Sequence, residues 1–338
     1  MILAANTAKW FPGILLCLGL LINGCRRKAE YTYLEGQAQG TTFRIIYAGE
    51  SDFSSSIDSL FRVIDHSMSL WDSTSIISRF NKNDSAIQAD SHFENVFRKS
   101  QEISLQTDGA FDITVGPLVK AWGFSYKKGG ALPVASQVDS LKKWVGYQKV
   151  RLQDGYLVKA NPQTEIDFNA IAQGYTVDVM AGFLKKQGID NYLVEIGGEV
   201  RTEGHNEKGQ IWQIGIDRPT ESESETRVLQ TVLPLSGKAL ATSGSYRKFI
   251  IRDGKKFSHA IDPQTGYPII HNLLSISVIA DDCMTADAYA TAFLVLGLEK
   301  AKEIALKKHL EIYGITSSPD GKFTVFHTPG FFNASVQP

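Results

Sequence analysis

Asp287 and Thr291 stand four residues apart in an alanine-rich run from Ala286 to Ala292. On a helix that spacing turns a carboxylate and a hydroxyl the same way. The pair also has an ordinary reading: an Asp near a helix start, favoured by the dipole, and a Thr bonded back to its own backbone. Asp167 lies at a strand-to-helix junction, where it could cap the helix that follows. Asp112, after Gly109-Ala110-Phe111, could simply close a turn. His259 precedes the turn-forming run Asp262-Pro263-Gln264-Thr265-Gly266. A histidine titrating near neutrality can take the proton of an attacking hydroxyl, or it can hydrogen-bond the turn and shape a site. Trp71 and Phe111 are aromatics in polar, turn-rich surroundings, able to stack on a planar ring or to pack in a core. Gly197-Gly198 permits close backbone approach, a weak phosphate-loop signal when it stands alone. The neighbouring Glu195 and Glu199 suit structural ion pairs. No metal-cage or nucleophile motif of general use accompanies these residues: there is no Gly-x-Ser-x-Gly, His-Glu-x-x-His, Walker loop or Cys-x-x-Cys.

The surrounding sequence predicts the elements that must hold these residues. Thr41–Tyr47 reads as a strand, and Ser54–Met68 as a helix with Ile57, Leu60, Phe61, Ile64 and Met68 at helical spacing. A second helix is predicted from Phe93 to Gln106. Asp154-Gly155 between two short strands is a hairpin signal. Thr176–Lys186 reads as a helix stopped near Gly188. Strands are predicted at Tyr192–Ile196, Ile211–Asp217, Val228–Leu235, Tyr246–Ile251 and Leu274–Ala280, with Glu221–Thr226 a polar hairpin loop. An alanine-rich helix over Thr285–Leu296, another after Gly297 and a strand pair near Glu311–Phe326 complete the chain. Several sequential antiparallel strands favour an α+β class, with mixed, largely antiparallel sheets and packed helices.

Composition sets the class. The 338 residues carry 35 Lys+Arg against 36 Asp+Glu, and 43% are apolar. Such values suit a folded soluble domain and exclude a disordered, collagen-like or polytopic membrane chain. The absence of a basic excess gives no support to nucleic-acid binding. Lys9 is the only charge before the apolar run Trp10–Ile22, which is too short to span a bilayer. The run ends in Leu21-Ile22-Asn23-Gly24-Cys25, followed by Arg26-Arg27-Lys28. That is the layout of a secretory signal, and its end resembles a bacterial lipobox with Cys25 to be lipidated. Only Cys283 then remains, so the mature chain has no internal disulfide. The expected organisation is a signal peptide over 1–24, a lipidated tether over 25–40, a single domain over 41–330 and a tail over 331–338. The expected location is the periplasmic side of a bacterial membrane, held there through Cys25.

Several segments, taken in order, resemble a known family. They are Gly36-Gln37-Ala38-Gln39-Gly40-Thr41, Met68-Ser69-Leu70-Trp71 with Ser78-Arg79-Phe80-Asn81, and Gly109 to Leu118 with Trp122-Gly123-Phe124. Asp167 to Tyr175 and Glu195 to Glu199 follow, then Ala241-Thr242-Ser243-Gly244, Ser258 to Gly266 and Ala286 to Ala292. Any one is weak. Together, across most of the mature chain, they look like the FAD:protein FMN transferase (ApbE) family, exported and often lipid-anchored.

The resemblance implies a reaction: FMN moves from FAD to a Thr or Ser of an acceptor protein, and AMP leaves. It also implies roles. Asp287, Thr291 and the backbone carbonyl of Ala170 would be ligands of Mg²⁺, a hard ion that leans on substrate phosphates. Gln39, Trp71, Ala110, Phe111, Asp112, Asp167, Gln173 and Ile261 would contact FAD, Ile261 through its backbone. His259 would be the candidate general base. Two positions depart from the family pattern. Many relatives carry Lys where this chain has Gln173, and Met is common where it has Gln39. Competing readings are an FAD pyrophosphatase, with water as acceptor, and a non-enzymatic flavin-binding lipoprotein.

Overall fold

The computed structural model describes residues 30–84, 87–124, 132–220, 228–246, 249–252 and 255–333. The signal over 1–24, Cys25, the loop Glu221–Thr226 and the last five residues of the tail lie outside them. The chain starts with a hairpin of β1 (Tyr31–Ala38) and β2 (Thr41–Ala48), joined by Gln39-Gly40, both at positive φ. Then come α1 (Ser54–Met68), α2 (Ile76–Asn81), α3 (Ser91–Gln106), α4 (Gly116–Ala121) and α5 (Ala135–Lys142). The hairpin β3 (Val150–Gln153) and β4 (Tyr156–Lys159) turns on Asp154-Gly155, again both at positive φ. Two-residue loops of this kind match the right-handed twist of their strands. After α6 (Ala172–Lys186) come β5 (Tyr192–Ile196), β6 (Glu199–Glu203), β7 (Trp212–Asp217), β8 (Leu229–Leu235) and β9 (Lys238–Gly244). The chain then forms β10 (Phe249–Arg252), β11 (Lys255–Ser258), β12 (Leu273–Ala280), α7 (Cys283–Leu296), α8 (Leu298–Lys308), β13 (Glu311–Ser317) and β14 (Phe323–His327).

Eight strands make one sheet in the order β1-β2-β5-β6-β9-β12-β13-β14, every neighbouring pair antiparallel. The mixed α+β class with antiparallel sheets is therefore the observed one. Two expectations change at the edges. Residues 31–38, expected as tether, form β1 and pair along their whole length with β2. Residue 331, placed in the tail, is fully buried: Phe331 packs with Tyr313, Ile315 and Leu233.

Helices cover one face of the sheet. Ile57, Phe61 and Ile64 of α1, Val177, Met180 and Leu184 of α6, and Ile45, Tyr47 and Val194 of the strands bury that layer. Each such side chain contributes about 1.5–3 kcal/mol relative to exposure. Helix starts are fixed by their own side chains: Asp90 accepts from Phe93 N–H at 2.7 Å and Asp282 from Thr285 N–H at 2.8 Å. On the opposite face lies the β7–β8 ribbon, its Trp212, Ile214 and Ile216 packed on Val200, Leu240 and Ile279. A separate small cluster of Leu118, Trp122, Val138, Val145 and Ile261 ties α4 and α5 to the segment after β11. Trp122 Nε1 donates to the Gly266 carbonyl across it at 2.9 Å.

Candidate active site

One cleft of about 2460 Å³ runs across the molecule, and all twelve residues singled out in the sequence line it. They arrive from different parts of the chain. The β1–β2 turn brings Gln39, the loop after α1 brings Trp71, and the turn after α3 brings Ala110, Phe111 and Asp112. The turn leading into α6 brings Asp167, Ala170 and Gln173. His259 and Ile261 follow β11, and α7 presents Asp287 and Thr291.

At the α6–α7 contact, Asp287 is buried and accepts from the backbone N–H of Gly174 at 3.0 Å. Burial pushes its carboxyl up from 3.8 to about 7, and the nearby Asp178 adds to the rise. One turn on, the Thr291 hydroxyl shares a hydrogen bond with Ser243 at 3.0 Å. Asp287 and Thr291 line the cleft together with Ala170. Among the described residues, no three His, Cys, Asp or Glu side chains gather as a metal cage. A cation at this place would rest on one carboxylate, a hydroxyl, a carbonyl and the ligand's own oxygens.

Asp167 caps its own turn, its Oδ1 accepting from Asn169 N–H at 2.8 Å, while its backbone N–H donates to Ile113. Burial raises its pKa, against the lowering effect of the Asn169 N–H and of Lys120. Gln173 lies against the β5–β6 turn so closely that a Cβ on Gly197 would sit 1.9 Å from its Nε2. Gln173 could swing aside, so the firmer reason for glycine at 197 is its positive φ of 63°. Gln39 Nε2 donates to Asp65 at 3.1 Å, which holds the β1–β2 turn against α1. Trp71 is 67% exposed on the rim, free to cover a planar ligand. His259 faces the ring of Phe124 edge-on at 6.4 Å.

Two residues differ from a simple side-chain contact, and a third, Ile261, is one for which only a backbone contact is expected. Phe111 is 2% exposed and belongs to the main core, so it shapes the cleft wall from behind. Asp112 spends both carboxylate oxygens inside the protein: Oδ1 accepts from Thr114 N–H and hydroxyl, and Oδ2 from Tyr147 N–H at 2.8 Å. It closes the turn, and a ligand would meet its backbone. Ile261 is buried among Leu118 and Trp122, again leaving its backbone to the cleft.

The chain matches the ApbE family model over residues 39–314. It belongs to the ApbE family. An FAD:protein FMN transferase of Haemophilus influenzae is 36% identical over 332 residues, 94% of this chain and 95% of that one. The flavin transferase ApbE of Vibrio cholerae superposes with a TM-score of 0.81 at 33% identity, covering 90% of this chain and 98% of that one. The apo flavinyl transferase ApbE of Pseudomonas stutzeri gives 0.80 at 30% identity, covering 91% and 98%.

This ApbE-family chain also uses residues that sequence reasoning left without a role. Gly174 lets α6 and α7 touch: a Cβ there would lie 2.4 Å from the Cys283 carbonyl oxygen and 2.8 Å from Asp287 Cβ. Asp178, one turn further along α6, accepts from the first amides of α7, Cys283 at 2.9 Å and Met284 at 2.8 Å, and pairs with Arg201. Ser243 fixes the Thr291 hydroxyl from the neighbouring β9. Lys120 lines the cleft while paired with Glu165. The Gly174-to-Asp287 contact leaves no trace in a single sequence. The Asp178 spacing was visible only as one more polar position on a helix.

Proposed function

We propose that this protein transfers the FMN half of FAD to a Thr or Ser hydroxyl of an acceptor protein, with Mg²⁺ at the pyrophosphate and AMP released. Its relatives carry the name of that activity. The observation that carries the reading is the convergence of Asp287, Thr291 and the Ala170 turn in a cleft far larger than an ordinary small-ligand pocket, which ends near about 1,000 Å³. The donor set fits a hard cation. Asp287 is a buried carboxylate taking one backbone N–H, and its raised pKa records how poorly its charge is met by the protein alone. Asp287, Thr291 and the Ala170 carbonyl would hold Mg²⁺, which would supply charge neutralisation at the substrate phosphates.

The chain's own residues would do the rest. Trp71 covers a ring at the rim, and Asp167 with Gln173 orients the dinucleotide across the α6 start. The acceptor oxygen attacks the FMN phosphorus, a new P–O bond forms, and the bond between the FMN phosphorus and the bridging oxygen breaks, with AMP keeping that oxygen. His259 takes the proton lost by the acceptor hydroxyl. The test is FAD with a flavin-accepting protein, in Mg²⁺ or in chelator. Fluorescent FMN bound to protein only in Mg²⁺ supports the reading. Metal-dependent AMP and FMN in solution, with unlabelled protein, would favour a pyrophosphatase.

The metal also links to pH. In the metal-free protein the Asp287 carboxyl titrates near 7, well above its ordinary 3.8. The folded chain thus holds a proton that the unfolded chain releases. The stabilisation from this proton is full below the ordinary carboxylate range and is lost as the pH rises through about 7. Mg²⁺ needs the carboxylate and displaces the proton. Its affinity should therefore drop about tenfold per pH unit below the Asp287 pKa and level off above it. Calorimetric titrations with Mg²⁺ across that range check this, and a flat affinity would contradict it.

We also propose export and lipid anchoring at Cys25, from the charge, apolar run and lipobox-like end of the first 25 residues. No helix among the described residues is long and apolar enough to cross a membrane. Cys25→Ser should move the protein from the membrane to the soluble fraction. Retention at the wild-type level would contradict the anchor.

A further inference from the structure

The cleft does not end at the flavin-binding residues. Past the Gly197-Gly198 turn it continues onto the outer face of the sheet, as a trough beside the β7–β8 ribbon. The ribbon covers β6, β9, β12 and β13 there, through Val200, Leu240, Ile279 and Ile315. The β1, β2 and β5 part of that face forms the trough floor, with Tyr33, Arg44, Ile46, Leu193 and Glu195 lining it.

One wall is a strand edge. Every residue of β7 from Trp212 to Asp217 lines the cavity, whereas Leu229 alone does so from β8. Side chains of a strand alternate between faces, so a strand that lines a cavity with consecutive residues presents its edge. Among the described residues β7 pairs along its length with β8 alone. Pro234 of β8 stands opposite Gln213. Proline has no N–H for the ladder, so that pair is one of the non-hydrogen-bonded ones. The N–H and C=O groups of Gln213 and, two residues on, Gly215 then point away from β8 and into the trough. Both residues are exposed.

The floor offers little free charge. Arg44 is paired with Glu35, the Tyr33 hydroxyl donates to Glu207, and Glu195 accepts from Gly198 N–H at 2.8 Å. What is left to receive side chains is the half-buried apolar pair Ile46 and Leu193, directly opposite each other on the neighbouring strands β2 and β5.

From this we infer that the trough docks the acceptor protein, whose extended, uncharged segment adds as a strand to the free edge of β7 and runs past Gly197-Gly198 to deliver its hydroxyl to the site. The inference rests on the transferase reading above. It names the part of the surface that reads the second substrate. Backbone pairing would supply the affinity, and alternate side chains on Ile46 and Leu193 the selectivity, as in other strand-addition complexes.

The experiment uses the full chain, FAD, Mg²⁺ and a flavin-accepting protein domain that the wild type labels. Gln213→Pro removes one outward N–H without touching a ladder bond, and Leu193→Arg places a charge on the floor. Neither residue belongs to the FAD contacts. Both variants should keep FAD affinity within about twofold, while kcat/KM for the acceptor falls by about tenfold or more, mostly through KM. A photo-crosslinking residue at position 213 should capture the acceptor domain and lose it when unlabelled acceptor is added in excess. Labelling by both variants at the wild-type rate, with no crosslink, overturns the trough while leaving the transferase intact. A wild type that releases AMP but labels no protein overturns the transferase reading and the trough with it.

Discussion

Asp287→Ala is expected to leave a folded, FAD-binding protein whose covalent FMN transfer has fallen by about 10³-fold, the scale of a lost metal contribution of several kcal/mol. The reasoning is electrostatic. Asp287 is the charged member of the proposed ligand set, and its carboxyl is already costly to bury, as its rise to about 7 shows. Removing it relieves the fold and deprives the cation of its anionic partner. Thr291→Ala removes a neutral ligand, with Ser243 still beside the gap, and should cost about tenfold. His259→Ala should lower the rate with FAD affinity kept. In-gel flavin fluorescence of the acceptor reads all three. Full labelling by Asp287→Ala would contradict the assignment of the metal to α7.

Gly174→Ala is expected to be among the most damaging single-methyl changes in the chain. The added Cβ would meet backbone, the Cys283 carbonyl oxygen at 2.4 Å, as well as Asp287 Cβ at 2.8 Å. α7 cannot step aside easily, because Asp178 holds its first two amides and is itself held by Arg201. Overpacking of this kind costs about 1–3 kcal/mol. The urea midpoint should fall with an unchanged slope, and Mg²⁺ affinity should fall with it, since the Gly174 N–H orients Asp287. An unchanged midpoint would show that the helices can separate without cost. The same test discounts Phe111→Ala as a probe of FAD binding: a core ring 2% exposed costs about 3–5 kcal/mol when truncated, so its loss would report on folding.

Much of this molecule can be read from its sequence where a periodic signal exists. The helix Ser54–Met68 appears at its expected bounds, and α3 begins two residues before its expected start at Phe93. The Asp154-Gly155 hairpin is as expected. The misses have different causes. β9 runs Lys-Ala-Leu-Ala-Thr-Ser-Gly, which resembles a loop. It is a central strand of small residues because α7, itself lined with Ala286, Ala288 and Ala290, packs closely on it. β1 was hidden by the polar run Glu35-Gly36-Gln37, whose exposed residues are those of an edge strand. β6 is short and begins directly at the Gly197-Gly198 turn. Every candidate site residue reaches the cleft, most from turns and helix starts and Asp287 and Thr291 from within α7. How each side chain is used was not legible. Whether Asp112 faces a ligand or its own turn depends on Tyr147, 35 positions away.

The central claim is a transfer of one FMN with release of one AMP, and stoichiometry tests it most directly. Purified protein, FAD, Mg²⁺ and an acceptor domain would be sampled over time, with AMP measured by chromatography and covalent FMN by intact-protein mass spectrometry. The account predicts equal molar amounts of AMP and attached FMN at every time point, the FMN phosphate being mapped to a Thr or Ser, and neither product in chelator. AMP accumulating with free FMN and no mass added to the acceptor, or labelling that persists without divalent metal, would contradict it.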